Sequence, residues 1–223
     1  MTFRVRAGRL PAAAASAQAH VRSDRAAARL PKAPAVIEVI RAAAELQAFC
    51  EDQQWRFSFI GGLAVQCWGE PRETVDVDLT VLTGFRDEAL FVTALVSRFE
   101  SRIDDAAGFA RVNRVLLLRA ASGVGLDIAL GGLPFEEAVV DRSTFVTFPP
   151  NTRLRICSAE DLIVLKAFAD RPKDWVDLEG VIVRQAGRID WTYVWMQLAP
   201  LVELKEVPDI LPRLDQRRQA LDQ

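Results

Sequence analysis

Histidine is nearly missing from this chain: the single copy, His20, lies in an Arg- and Ala-rich stretch near the start, and the residues beyond it hold none. That absence argues against Ser-His-Asp and Cys-His nucleophilic catalysis and against His-ligated zinc. Chemistry in the core must then come from carboxylates, lysines, arginines, backbone amides or a bound metal. Cysteine is sparse as well. Cys50, Cys67 and Cys157 are odd in number, far apart and form no CxxC, so neither a zinc knuckle nor a disulfide framework is indicated and a reducing, cytoplasmic setting fits best. No apolar run approaches the roughly 20 residues of a membrane-spanning helix, so no membrane partner is expected. Positive charge is not in excess either. The formal net charge is −2 and the pI about 5.6, unlike a protein that holds nucleic acid mainly by neutralising phosphates, although a local basic patch stays open.

What is present is an ordinary globular composition, with 223 residues of which 50% are hydrophobic and 26% charged. That is enough to bury a core in one domain with an appendage, or in two small ones. Residues 1–34 contain Asp24 as their only acid and no sustained apolar period, and they read as a flexible extension. The same composition is shared by organelle transit peptides and by sequence lying upstream of a domain's true start.

From residue 35 the pattern changes. Ile37, Ile40, Ala44 and Ala48 recur at helical spacing, "RFSFI" reads as a short strand, "GGLAVQCWG" as a turn opening a short helix, and "TVDVDLTVL" as a strand. A helix over "RDEALFVTALVSRFES" follows, then strands in "RVNRVLLLRA", "VGLDIAL" and "STFVTF", with a short helix between the last two. This order predicts an α/β (α+β) core over 35–150, a small mixed sheet flanked by helices. Residues 151–223 are expected to form a helical C-terminal region. Ser158 and Asp161 make a capping-box-like start for one helix, Pro172 opens the next, and Trp191, Val194, Trp195, Leu198, Leu201 and Val202 form an apolar stripe read as core.

The chemistry is concentrated in "FIGGLAVQCWGEPRETVDVDLTVL". On a strand, residues two apart share a face, so Asp76 and Asp78 project together while Val75, Val77 and Leu79 point into the core. An isolated Asp-x-Asp is most often the outer face of a half-exposed strand. Here a second apolar strand, "GVGLDIALG", carries Asp127 as its one charge, and a lone acid in such a strand demands a partner. If the two strands are neighbours, three carboxylates converge, and their repulsion calls for a cation. Mg2+ suits such oxygen donors, and two ions about 3.5–4 Å apart would activate a hydroxyl and stabilise a leaving phosphate. Gly61 and Gly62, where a strand turns into a helix, let backbone amides approach a phosphate. Arg72 could hold a triphosphate oxygen, or be a solvated loop arginine.

Gly-Gly, then Asp-x-Asp, then a third acid on a later strand resembles the DNA polymerase beta superfamily of nucleotidyltransferases over residues 57–130. The resemblance implies a palm-like sheet, Asp76, Asp78 and Asp127 as catalytic metal ligands with Asp127 alternatively the general base, and Gly61 and Gly62 as a phosphate cradle. "SAEDLIVLKAFADRPKDWVDL" (158–178) is similar to the lysine motif and the Arg-x-Lys-Asp-x-x-Asp-Leu motif of AbiEii-type abortive-infection toxins, matched by Lys166, Arg171, Lys173, Asp174 and Asp177. It implies that Lys166 binds nucleotide phosphates and that Asp174 and Asp177 shape the nucleotide site. Read without it, Lys166 with Asp170 and Lys173 with Asp177 could equally be surface ion pairs four residues apart. The implied activity is Mg2+-dependent transfer of a nucleotide from an NTP to a hydroxyl of tRNA, a protein or a small molecule, with an antitoxin as a candidate partner. A catalytically inactive nucleotide-binding partner or sensor of the same fold is the alternative.

Overall fold

The structure, a computed structural model, describes residues 36–222; the expected extension over 1–34, with His20, lies outside them. Helix α1 (Val36–Asp52) buries Val39, Ile40, Ala43, Leu46, Gln47 and Cys50. The helix is where the periodicity puts it, but its inner face is rotated and Ala48 is exposed. Leu46 and Cys50 bury more apolar area than alanine can, and they set which side turns inward.

Strand β1 (Phe57–Phe59) leads to α2 (Gly61–Trp68), β2 (Asp76–Leu82), α3 (Glu88–Arg98) and the two-residue β3 (Glu100–Ser101). Next come α4 (Ala106–Asn113), β4 (Val115–Arg119), β5 (Gly125–Gly131), α5 (Pro134–Arg142), β6 (Thr144–Phe148) and β7 (Thr152–Ile156). Four helices end the chain: α6 (Ala159–Ala169), α7 (Pro172–Arg184), α8 (Trp191–Lys205) and α9 (Ile210–Leu221). The strands make one mixed sheet in the order β3-β4-β5-β2-β1-β7-β6. Its centre is the parallel pair β2 and β5, in register from Asp76 with Gly125 to Leu82 with Gly131. Val77, Leu79 and Val81 and, across from them, Leu126, Ile128 and Leu130 are buried on one face; the aspartates alternate onto the other, as a period of two requires. Val75, expected in the core, instead precedes β2 and is 46% exposed.

Several elements depart from the sequence pattern. Residues 100–101, read as the end of a helix, form the edge strand β3 once Phe99 turns extended. Residues 111–113, read as the start of a strand, close helix α4, whose N-cap Asp105 accepts from the Gly108 N–H at 2.8 Å. Arg114 then adopts a left-handed conformation with φ 53° and releases the chain into β4. Residues 152–156, not read as a strand, form β7, with Leu154 and Ile156 buried and Arg153 and Arg155 lying over the Phe145 ring at 4.9 and 4.6 Å.

In α6, Ser158 Oγ accepts from the Asp161 N–H at 3.1 Å and donates to Asp161 Oδ2 at 2.7 Å, and Tyr193 of α8 donates to the buried Asp161 at 2.6 Å. Val194, Leu198, Leu201 and Val202 are buried, with Trp191 and Trp195 packed at their margin. The three cysteines are unbonded to one another. Burial, and then Glu51, pushes the Cys50 thiol up to about 12. Burial also takes Cys67 to about 12 and Cys157 well above its usual range. Among the described residues no helix is long and apolar enough to cross a membrane.

Candidate active site

The turn between β1 and α2 is built against β2. Ile60 N–H donates to the Asp78 carbonyl at 3.0 Å, and Gly61 follows with φ +59°, a conformation that L side chains rarely adopt. A Cβ on Gly61 would stand 2.5 Å from Asp78 Cγ, and one on Gly62 2.9 Å from Thr74 Cβ. The glycine pair therefore lets the backbone lie directly on the Asp78 carboxylate, to which Gly62 N–H donates at 3.3 Å. Thr74, buried behind Gly62, donates to the Asp76 carbonyl at 3.2 Å and fixes the entry to β2.

Asp78 and Asp127 are direct register partners on β2 and β5, with Asp76 one pleat away; neighbouring strands lie roughly 4.8 Å apart. Burial raises the Asp78 carboxyl to about 7, assisted by the charges of Asp76 and Asp127 and opposed by Gly62 N–H and Lys166. Asp127 is raised by burial as well; Arg102 opposes this, Asp76 adds to it, and Lys173 opposes it more weakly. Arg102 is bonded directly to Asp127.

Among the described residues no group of three His, Cys, Asp or Glu side chains closes into a metal-ligating cluster, and the partner Asp127 takes here is a guanidinium. A hard divalent cation nevertheless suits Asp76 and Asp78. Two carboxylates on one strand face, one of them raised by burial and by its neighbours' charge, are relieved by a cation with oxygen preference, and Mg2+ commonly uses only one or two carboxylates.

Beside these acids lies a second polar cluster, on α6 and α7. Lys166 Nζ, buried, bonds Asp174 at 2.9 Å and Asp177 at 2.7 Å. Asp177 also receives a two-pronged bond from Arg72, Nε at 2.6 Å and Nη2 at 2.8 Å, and Arg171 bonds Asp174. Burial is the largest influence on both aspartates and would raise them. It is outweighed by Arg171 and Lys166 at Asp174 and by Arg72 and Lys166 at Asp177, so both are held below the usual carboxylate range. Lys166 is thus not the surface partner of Asp170, which bonds Arg213 and the Trp175 indole instead. Pro172 starts a new helix at the left-handed Asp170 turn and brings Asp174 and Asp177 back over Lys166. Arg72, half exposed, is a bridge rather than a solvated loop residue, and it feels the charges of Asp76 and Asp78 as well as Asp177.

The structure therefore brings Asp76, Asp78 and Asp127 to one row of the central strands with Gly61 and Gly62, at the start of α2, packed against Asp78, and Arg72, Lys166, Asp174 and Asp177 into one ion-paired cluster within electrostatic reach of it. Sequence reasoning passed over Arg102 and Thr74. An arginine after a helix and a threonine before a strand are too common to signal anything alone; only the strand register identifies them.

A family model for "Nucleotidyl transferase AbiEii toxin, Type IV TA system" matches residues 46–188. Comparison with curated protein sequences gives no match. Among solved structures, the chain is similar to an antigenic nucleotidyltransferase-like protein from Paracoccidioides brasiliensis at 20% identity, covering 80% of this chain and 93% of that one with a TM-score of 0.48. It is also similar to the antibiotic-resistance factor ANT(2'')-Ia at 17% identity, covering 83% and 96% with a TM-score of 0.44. The lincosamide antibiotic adenylyltransferase LnuA matches at 12% identity, covering 63% and 94% with a TM-score of 0.41.

Proposed function

The chain belongs to the AbiEii family of nucleotidyl transferase toxins of type IV toxin–antitoxin systems, and from that premise we propose that it moves an NMP from an NTP to an acceptor hydroxyl with release of pyrophosphate, using Mg2+. The observation that carries the reading is the register of Asp78 with Asp127, one pleat from Asp76 and directly on the Gly61–Gly62 turn.

In the proposed reaction the acceptor oxygen forms a bond to the α-phosphorus, the bond from that phosphorus to the bridging oxygen breaks, and the hydroxyl proton leaves to a base. Asp76 and Asp78 would hold the divalent cation, with Asp127 the further ligand or the base toward the acceptor. When bound, that cation supplies Lewis-acid stabilisation of charge on the transferring phosphate. Gly62 N–H, now turned to Asp78, and the start of α2 offer donors to phosphate oxygens. Lys166 of α6 and Arg72 of the loop before β2 add positive charge, while Asp174 and Asp177 hold those cations in place. Catalysis on this plan is positioning and charge stabilisation.

The family description supports an antitoxin partner. As acceptor we favour tRNA, with a protein hydroxyl and a small molecule as the other acceptor classes. The test is incubation with Mg2+ and each α-labelled NTP, with and without total tRNA, beside an Asp76→Ala, Asp78→Ala double variant. Label should move to tRNA and disappear in the variant. Mg2+-dependent NTP binding with no transfer to any acceptor would turn the reading to an inactive nucleotide-binding module, and absence of both would overturn it.

A further inference from the structure

Arg102 is delivered to the acidic row by the edge of the sheet. Ser101 of β3 pairs with Leu118 of β4, Arg102 N–H donates to the Leu117 carbonyl at 3.1 Å, and Leu117 is the register partner of Asp127. The side chain then crosses β4 to reach the Asp127 carboxylate. Its guanidinium lies against Gly125, where an added Cβ would stand 2.8 Å from Arg102 Nη1 and 3.7 Å from Asp76 Cβ. Arg102 is thus seated in the row that holds Asp76 and Asp127, at a place kept open by a glycine whose φ is not positive.

The seat fits the charge better than it fits the hydrogen bonds. Arg102 Nε is buried and has no partner, although buried donors are nearly always paired. An arginine chosen only to knit β3 to β5 would be expected to use that donor. What the position supplies is positive charge at a crowded group of carboxylates, the service a bound dication would perform.

We propose that Arg102 is a resident counter-ion that holds Asp127 while the divalent cation is absent and competes with that cation for it. Arg102 is then a positioning residue acting through Asp127, and cation binding and release of Asp127 are one linked equilibrium. A contact that stabilises only the cation-free state lowers apparent cation affinity, and removing the contact raises it. The inference rests on the nucleotidyltransferase reading of the aspartates.

The test is Mn2+ binding to the full chain without nucleotide at one neutral pH, followed by calorimetry and by loss of the free-ion paramagnetic resonance signal. The set is wild type, Arg102→Gln, Arg102→Lys, Gly125→Ala and Asp76→Asn. Arg102→Gln should bind Mn2+ roughly tenfold more tightly, the change that about 1.4 kcal/mol of lost competition gives. Arg102→Lys, which keeps the charge but loses the planar fork, should bind more tightly than wild type. So should Gly125→Ala, which keeps the arginine and crowds it out of its seat.

If Arg102→Gln and Gly125→Ala, folded by circular dichroism, leave affinity unchanged or weaker while Asp76→Asn abolishes it, the counter-ion role is overturned and the metal-site reading stands. If Arg102→Gln rises while Arg102→Lys and Gly125→Ala match wild type, Arg102 acts by distant charge alone and the competition is overturned. Should Arg102→Gln fail to fold without metal, Gly125→Ala decides the question. Wild-type binding indifferent to Asp76→Asn, or no binding at all, overturns both readings.

Discussion

A carboxyl that holds its proton up to about pH 7, as Asp78 does under burial and the charges of Asp76 and Asp127, changes what pH does to the fold. The folded chain keeps that proton across a range in which the unfolded chain has released it, so the folded state binds more protons and stability falls as pH rises from about 4 to about 7. Asp78→Asn, which retains an acceptor for Gly62 N–H, should stabilise the metal-free protein at pH 8 by a few kcal/mol and flatten that decline. Urea midpoints at several pH values, with chelator present, check both. Asp174 and Asp177 behave oppositely. Held below the usual range by Arg171, Arg72 and Lys166 against the pull of burial, they contribute stability at neutral pH that is lost as acid titrates them below pH 4. The Asp-x-Asp and the third acid could be read from the sequence because charges inside apolar strands are expensive and therefore conspicuous. Arg102 could not, because its meaning lies in a register across three strands.

At the scale of elements, the β1–α2 turn and the α6–α7 pair carry the largest demands. Gly61→Ala puts a side chain at φ +59° and into Asp78; it should cost about 1–2 kcal/mol for the left-handed backbone alone and abolish nucleotidyl transfer by displacing the carboxylate. Thermal melts and the labelled-NTP assay read the two effects separately. Between α6 and α7, Lys166→Met leaves Asp174 and Asp177 buried with less compensation and should destabilise by about 3–5 kcal/mol. Adding Asp174→Asn and Asp177→Asn to it should recover part of the loss, and urea unfolding of the two variants tests the difference. Spacing along the chain suggested Lys166 with Asp170 because four residues is one helical turn. The turn at Asp170 and the restart at Pro172 replaced that neighbour with residues 8 and 11 positions away. Strand β7 was hidden for another reason: Arg153 and Arg155 interrupt its apolar residues, and their stacking on Phe145 is a tertiary fact. The left-handed Arg114 that separates α4 from β4 leaves no mark in composition either.

Across the whole molecule, the helical C-terminal region is bonded to the sheet by more than apolar contact. Arg72 of the loop before β2 grips Asp177 of α7, the Trp68 indole donates to the Cys157 carbonyl at 2.7 Å, and Gln185 donates to the Trp68 carbonyl at 3.0 Å. The described residues should therefore unfold as one unit. Urea transitions followed by tryptophan fluorescence and by far-ultraviolet circular dichroism should coincide, and an intermediate plateau in either would mean that the helices melt alone. The thiols matter at this scale too, Cys50 and Cys157 being buried and Cys67 half-buried. Alkylation and disulfide exchange proceed through the thiolate, and a group with a pKa of about 12, as at Cys50 and Cys67, is ionised at pH 7 in only about one molecule in 10⁵. Towards maleimides and iodoacetamides the native thiols should therefore react slowly, the half-buried Cys67 first, and one cysteine placed on an exposed helix position such as Ser97 should take a dye or spin label well ahead of all three.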